Sequence, residues 1–137
     1  MFLSNNEHKF YFKDKGERTG QSFEGDFVAK CILNQIEQIE VALRVDRYNG
    51  GSKTISPGHA LMNRAIAELE IRLVKAPTWW TDSDGGRTLY DSNILYSVFE
   101  EAFKGEKAWA ERLKKEAEEA EGTAEKSQKA KEAKKKE

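Results

Sequence analysis

The chain has 137 residues, of which 34% are charged and 38% hydrophobic, with a formal net charge of −1. Its mean hydropathy is −0.78. That composition fits one modest domain plus polar surplus, and it gives no overall basic bias toward nucleic acid. The single cysteine, Cys31, excludes an intrachain disulfide and fits a reducing compartment. No apolar run approaches the roughly 20 residues a membrane helix needs. Met1-Phe2-Leu3 is followed at once by polar residues, so no secretory leader is expected and a cytoplasmic location is.

Residues 1–8 read as a lead-in. The alternation in 9–14 predicts a strand with Phe10 and Phe12 on one face and Tyr11 on the other. Residues 15–22 are turn-rich, and 23–29 return as a partner strand with Phe23, Phe27 and Ala29 on one face. Such a hairpin needs cover, because an isolated one is marginal.

Ile32, Ile36, Ile39 and Leu43, with Leu33 and Val41 beside them, predict a helix over 30–47 with a buried stripe. Tyr48-Asn49-Gly50-Gly51 stops it. Ser56 as N-cap and Pro57 at the first helical position start the next helix. Met62, Ile66, Leu69 and Leu73 form its apolar stripe, widened by Leu61, Ala65 and Ile71 or Val74. Arg64, Glu68, Glu70 and Arg72 suit exposed positions. Pro77 disfavours helix at the residue before it, so the helix is expected to end near Lys75.

Trp79 and Trp80 read as core-edge anchors, with a partner-binding hot spot as the second reading. Residues 81–87 read as a loop. Leu89 and Asp91 then look like a lead residue and N-cap for a helix from about Ser92. Its face is Ile94/Leu95, Val98/Phe99 and Ala102/Phe103, continued by Trp109 and Leu113, with Gly105 as a weak point. From Lys114 no large apolar residue follows, so 114–137 is expected to be a frayed helix or disordered tail. The expected organisation is therefore a lead-in (1–8), one α+β domain of a β-hairpin on about three helices (9–113), and the charged tail (114–137).

Chemical motifs fail on inspection. Gly50-Gly51-Ser52-Lys53-Thr54 ends like a phosphate-binding loop, but Val45 stands where the first glycine belongs and a helix precedes it. Asp82-Ser83-Asp84-Gly85 opens like a calcium loop, but Gly86 and Asn93 fill ligand positions. His8 and His59 are far apart and outside any ligand pattern. Serines 52, 56, 83 and 92 suit turns and caps. No nucleophile–base set, metal site or cofactor site is expected, and hence no enzyme.

One set of short motifs is familiar. Phe12-Lys13-Asp14 closes a strand, and Phe23-Glu24-Gly25-Asp26-Phe27 feeds a helix that ends at Asn49-Gly50-Gly51. A helix reading Ala67-Glu68-Leu69-Glu70-Ile71-Arg72-Leu73-Val74 closes with Ala76-Pro77-Thr78-Trp79-Trp80. Leu89-Tyr90-Asp91 then starts a helix ending Val98-Phe99-Glu100-Glu101. This pattern, over roughly residues 9–105, resembles the small tail assembly chaperones of long-tailed bacteriophages. The resemblance implies a cofactor-free soluble protein that binds the long helical tape measure protein before the tail tube polymerises around it. It further implies the tail tube protein as a second candidate partner and a chaperone that is absent from the finished tail.

On this reading a client helix lies in a groove, with Trp79, Trp80, Tyr90 and Tyr96 as the candidate partner-binding residues. Two other classes stand beside it. One is a structural tail or adaptor subunit of the virion. The other is a small nucleic-acid-binding regulator using 123–137, which holds six lysines and three glutamates.

Overall fold

The computed structural model describes residues 5–51 and 55–135, with side chains described as far as 122. The fold is α+β. An antiparallel hairpin, β1 (His8–Lys15) and β2 (Ser22–Ala29), opens the chain. The register sets Phe10 against Phe27, Phe12 against Gly25 and Asp14 against Phe23. Alternation does the sorting: Phe12, Phe23, Phe27 and Ala29 are buried, while Tyr11 faces out. Phe10 and Phe27 stack with ring centroids 5.1 Å apart.

Helix α1 (Gln35–Tyr48) starts five residues later than the periodicity predicts. Asn34 and Glu37 form a capping box, each side chain accepting from the other's backbone N–H at 2.8 and 3.1 Å. Ile32 and Leu33 therefore lie before the helix. Asn6 holds that stretch by a reciprocal pair of bonds to the Ile32 backbone, 2.9 and 3.0 Å long.

Helix α2 (Pro57–Arg72) begins as expected, with the Ser56 hydroxyl accepting from the His59 N–H at 3.2 Å. It ends earlier than expected. Leu73–Lys75 leave the helix as β3 and add a third, antiparallel strand beside β2, so the sheet order is β1-β2-β3. Val74 is β-branched and so β-prone, and Pro77 already disfavours helix just beyond it. Pro77 then caps a one-turn helix, α3 (Thr78–Asp82), where a loop from Thr81 was expected. Helix α4 (Ser92–Lys135) begins at the predicted residue and continues through the charged segment.

The core joins the hairpin face to Ala65, Ile66 and Leu69 of α2, Trp80 of α3, and Ile94, Leu95, Val98 and Ala102 of α4. Helix α1 stands outside this cluster. It buries only Val41, and its expected buried stripe faces solvent: Ile36 is 74%, Ile39 59% and Leu43 53% exposed. On α2 Ala65, Ile66 and Leu69 are buried as expected, with Met62 and Leu73 packed against them, but two of the charged residues are not exposed. Glu68 and Arg72 are buried, whereas Leu61 of α2 and Val74 of β3 are exposed.

The chain divides into two compact units, Met1–Glu106 and Lys107–Glu137. Within the second, Arg112 lies over the Trp109 ring at 4.5 Å, and Leu113, expected to continue the apolar stripe, is exposed. No helix among the described residues is long and apolar enough to cross a membrane.

Candidate functional site: a groove floored by a buried arginine

Between α1, α2 and the start of α4 lies an open groove of about 650 Å³. Its apolar walls come from Ile32, Leu33, Val41, Val45 and Phe103. Charged side chains from α2 and α4 run along its floor and rim. Residues 61, 65, 68 and 72 recur at heptad spacing, so Glu68 and Arg72 share the α2 face that looks toward α1.

Arg72 is 4% exposed and organises the floor. Its Nε donates to Glu68 at 2.9 Å and one terminal nitrogen donates to Glu106 at 2.9 Å. The other reaches the carbonyls of Cys31 and Lys30 at 3.2 and 3.4 Å. The guanidinium plane lies over Phe103, 4.5 Å from the ring centroid. A buried cation is tolerable only when its donors are spent in this way. Arginine suits the position because its planar fork can serve two carboxylates and two carbonyls while stacking on a ring. Arg64, on the groove rim, is exposed and has no ion pair among the described residues.

Two polar clusters brace α1. At its start, Lys30 pairs with Glu37. Burial alone would push the Glu37 carboxyl up; Lys30 and the Asn34 N–H outweigh it and hold it below its ordinary value. Near its end, Glu70 of α2 receives Arg44, the Tyr48 hydroxyl at 2.8 Å and Arg87 at 2.9 Å. Arg87 also lies 4.2 Å from the Tyr48 ring centroid. Burial, reinforced by Glu70, raises the Tyr48 phenol. Burial lowers the Arg44 guanidinium, but Glu70 outweighs it and the net shift is upward.

None of the four aromatics picked out from the sequence lines this groove. Trp80 is 4% exposed and packs edge-on to Phe27 at 5.8 Å, so it is a core residue with little surface to offer a partner. Trp79 is half-buried against Phe12, Phe23 and Phe27. Its indole N–H donates to the Glu24 carbonyl at 2.8 Å. Gly25 makes that packing possible: a Cβ there would stand 2.7 Å from two atoms of Pro77, which leads into α3. Tyr96 is half-buried beside the core, and Tyr90 is exposed. Of the four, only Tyr90 is exposed.

Asp91 stands at the expected position just before α4, where its carbonyl accepts from the Ile94 N–H at 3.1 Å, but its side chain does something else. Its carboxylate is buried and faces the β1–β2 turn rather than capping α4. It accepts from the N–H groups of Arg18 and Thr19 at 2.6 and 3.0 Å and from the Thr19 hydroxyl at 2.5 Å. Asn93 adds bonds to Glu17 of the same turn and to Lys15 at the end of β1, accepting from the Glu17 N–H at 3.1 Å and donating to the Lys15 carbonyl at 3.0 Å.

The histidines stay apart. His59 is exposed, while His8 packs on α4 with Nε2 3.0 Å from the Glu101 carbonyl oxygen. Ser83 serves its turn, donating to the Trp80 carbonyl at 2.9 Å and accepting from Gly86 N–H at 3.2 Å. Ser52, Lys53 and Thr54 of the phosphate-loop-like stretch lie outside the described residues. Among the described residues no three His, Cys, Asp or Glu side chains are grouped to hold a metal ion.

The fold and groove thus define a small α+β domain with a partly apolar, charge-floored groove under an outlying helix. No family model, curated protein or solved structure matches the chain.

Proposed function

We propose that this protein is a tail assembly chaperone of a long-tailed bacteriophage, acting in the host cytoplasm without catalysis. It binds an amphipathic helical segment of the tape measure protein and keeps that client soluble until the tube, built from the tail tube protein, encloses it. The motif resemblance supplies the client's identity. The observation that carries a binding role is the groove: apolar walls from Val41, Val45 and Phe103, a hydrogen-bonded floor at Arg72, and on the rim Arg64, exposed and without an ion pair among the described residues. An amphipathic helix laid in such a groove buries apolar anchors and leaves its polar side to solvent, with an acidic residue placed to meet Arg64.

The test is co-expression with the long helical reading frame encoded downstream, scored by solubility and pull-down. A soluble complex that forms only when this protein is present supports the reading. Arg64→Glu and Val45→Lys weaken the complex at least about tenfold, which is the scale of one good interface contact. Tyr90→Ala leaves it unchanged, because Tyr90 lies outside the groove. An equally insoluble client with and without this protein refutes the chaperone role. So does finding the protein as a stoichiometric component of purified particles.

A further inference from the structure

The exposed side of α1 calls for a second occupant. Ile36, Ile39 and Leu43 are all more than half exposed. Their spacing, three residues and then four, is that of a coiled-coil seam, so the natural cover is another helix rather than a strand. Two rows flank the seam. One holds Glu40 and Arg47; the other holds Gln35 and Ala42. Arg47 has no ion pair among the described residues. Among the described residues Glu40 has only a 3.7 Å contact with Arg44, whose guanidinium is chiefly held by Glu70.

We propose that this face is self-complementary and that two copies of the chain pair through antiparallel α1 helices about a twofold axis. Antiparallel pairing sets each flanking row against the same row of the other copy. With Ile39 layered on Leu43 of the second copy, Glu40 leans toward Arg47 of that copy, and the symmetry makes the ion pair twice. Ala42 then meets Ala42 across the axis, where two small side chains permit close approach. Parallel pairing would set the Glu40/Arg47 row against Gln35 and Ala42, with no opposite charges to pair. The charge pattern therefore selects both the partner, a second copy, and its direction.

A single helix-on-helix contact lies below the ~1,200 Å² of a standard interface, so the dimer is expected to form at micromolar concentrations. Ile36, Ile39 and Leu43 do not line the groove; Ala42 sits where the two faces adjoin, so Leu43→Glu and the charge swap, and not Ala42→Cys, are the variants that separate the two readings. Failure of the dimer therefore leaves the client reading standing, and failure of the client reading leaves the dimer.

Sedimentation of the full chain, from about 1 to about 200 μM, reads the association directly. The expected result is a mass that rises from one chain toward two. Leu43→Glu, at an exposed position, abolishes the rise while the thermal melt stays unchanged. Glu40→Arg weakens the dimer at least about tenfold, and Glu40→Arg with Arg47→Glu restores it. Ala42→Cys yields a disulfide-linked dimer under mild oxidation, since Cys31 is buried. A chain still monomeric at the highest concentration overturns the proposal. So does a dimer indifferent to Leu43→Glu, a double charge swap that fails to rescue, or an Ala42→Cys chain that does not cross-link.

Discussion

Gly105 shows how a single residue's role depends on what lies across from it. In an ordinary helix interior, replacing glycine with alanine stabilises by about 1 kcal/mol. Here a Cβ would stand 2.6 Å from the Cβ of His8, where β1 lies against α4. Gly105→Ala is therefore expected to destabilise, by about 1–3 kcal/mol, as overpacking does. Adding His8→Gly removes the opposing Cβ and recovers most of the loss, whereas His8→Ala keeps that atom and does not. Urea denaturation of the three variants checks the order.

Asp91 is the other residue whose partners were hidden. Hydrogen bonds from the Thr19 hydroxyl and from the Arg18 and Thr19 N–H groups, together with the Arg18 charge, outweigh burial and hold its carboxyl below its ordinary value. A depressed folded-state value stabilises above the unfolded value of about 3.9, and that contribution is lost as pH falls through the folded value. The native chain is thus expected to be more stable than Asp91→Asn by a constant margin above about pH 5, with the margin shrinking below about pH 4. Denaturant titrations across that range test it, and a margin that widens toward acid would contradict the assignment.

At the scale of elements, α2 carries the main surprise. Glu68 and Arg72 read as solvated charges, yet both lie inside, stacked along the groove floor. Breaking one side of a buried pair leaves an uncompensated charge, so Arg72→Ala is expected to cost about 3–5 kcal/mol. Arg72→Met with Glu68→Leu removes both charges and is expected to fall within about 1–2 kcal/mol of the native chain. A double-mutant cycle by chemical denaturation separates the two cases. The signal was present in the spacing of 65, 68 and 72, which puts the pair on the same face as the buried Ala65. Composition alone hides it, because an i, i+4 Glu–Arg pair is equally common on solvated helices.

Helix α1 errs in the opposite direction. Its apolar spacing announces a covered face, and α1 leaves that face outward because the core is already filled by α2, Trp80 and α4. Strand β3 was missed because three residues are too few to show a period, and only the neighbouring β2 gives Leu73–Lys75 their strand form.

For the whole molecule, the core runs from Phe12 to Ala102, and all of it falls in the first compact unit. A chain ending at Leu113 is therefore expected to melt cooperatively within a few degrees of the full-length protein. Loss of cooperativity on that truncation would place essential packing in the removed segment.

What the sequence determined by itself was the local structure: the hairpin and its facing aromatics, the Ser56-Pro57 helix start, the α4 start at Ser92, and the α+β class. These follow from period, capping and turn chemistry, which act over a few residues and are written in the chain. What only the tertiary structure decided was which faces would be covered. Arg72 went inside because Glu68, Glu106, Phe103 and two carbonyls from the β2–α1 connection converge there. Trp80 became core, Asp91 a clasp on the hairpin turn, and Ile36, Ile39 and Leu43 an outer face. Burial and ion pairing at those positions depend on residues tens of positions away, and no local pattern specifies which of them will meet.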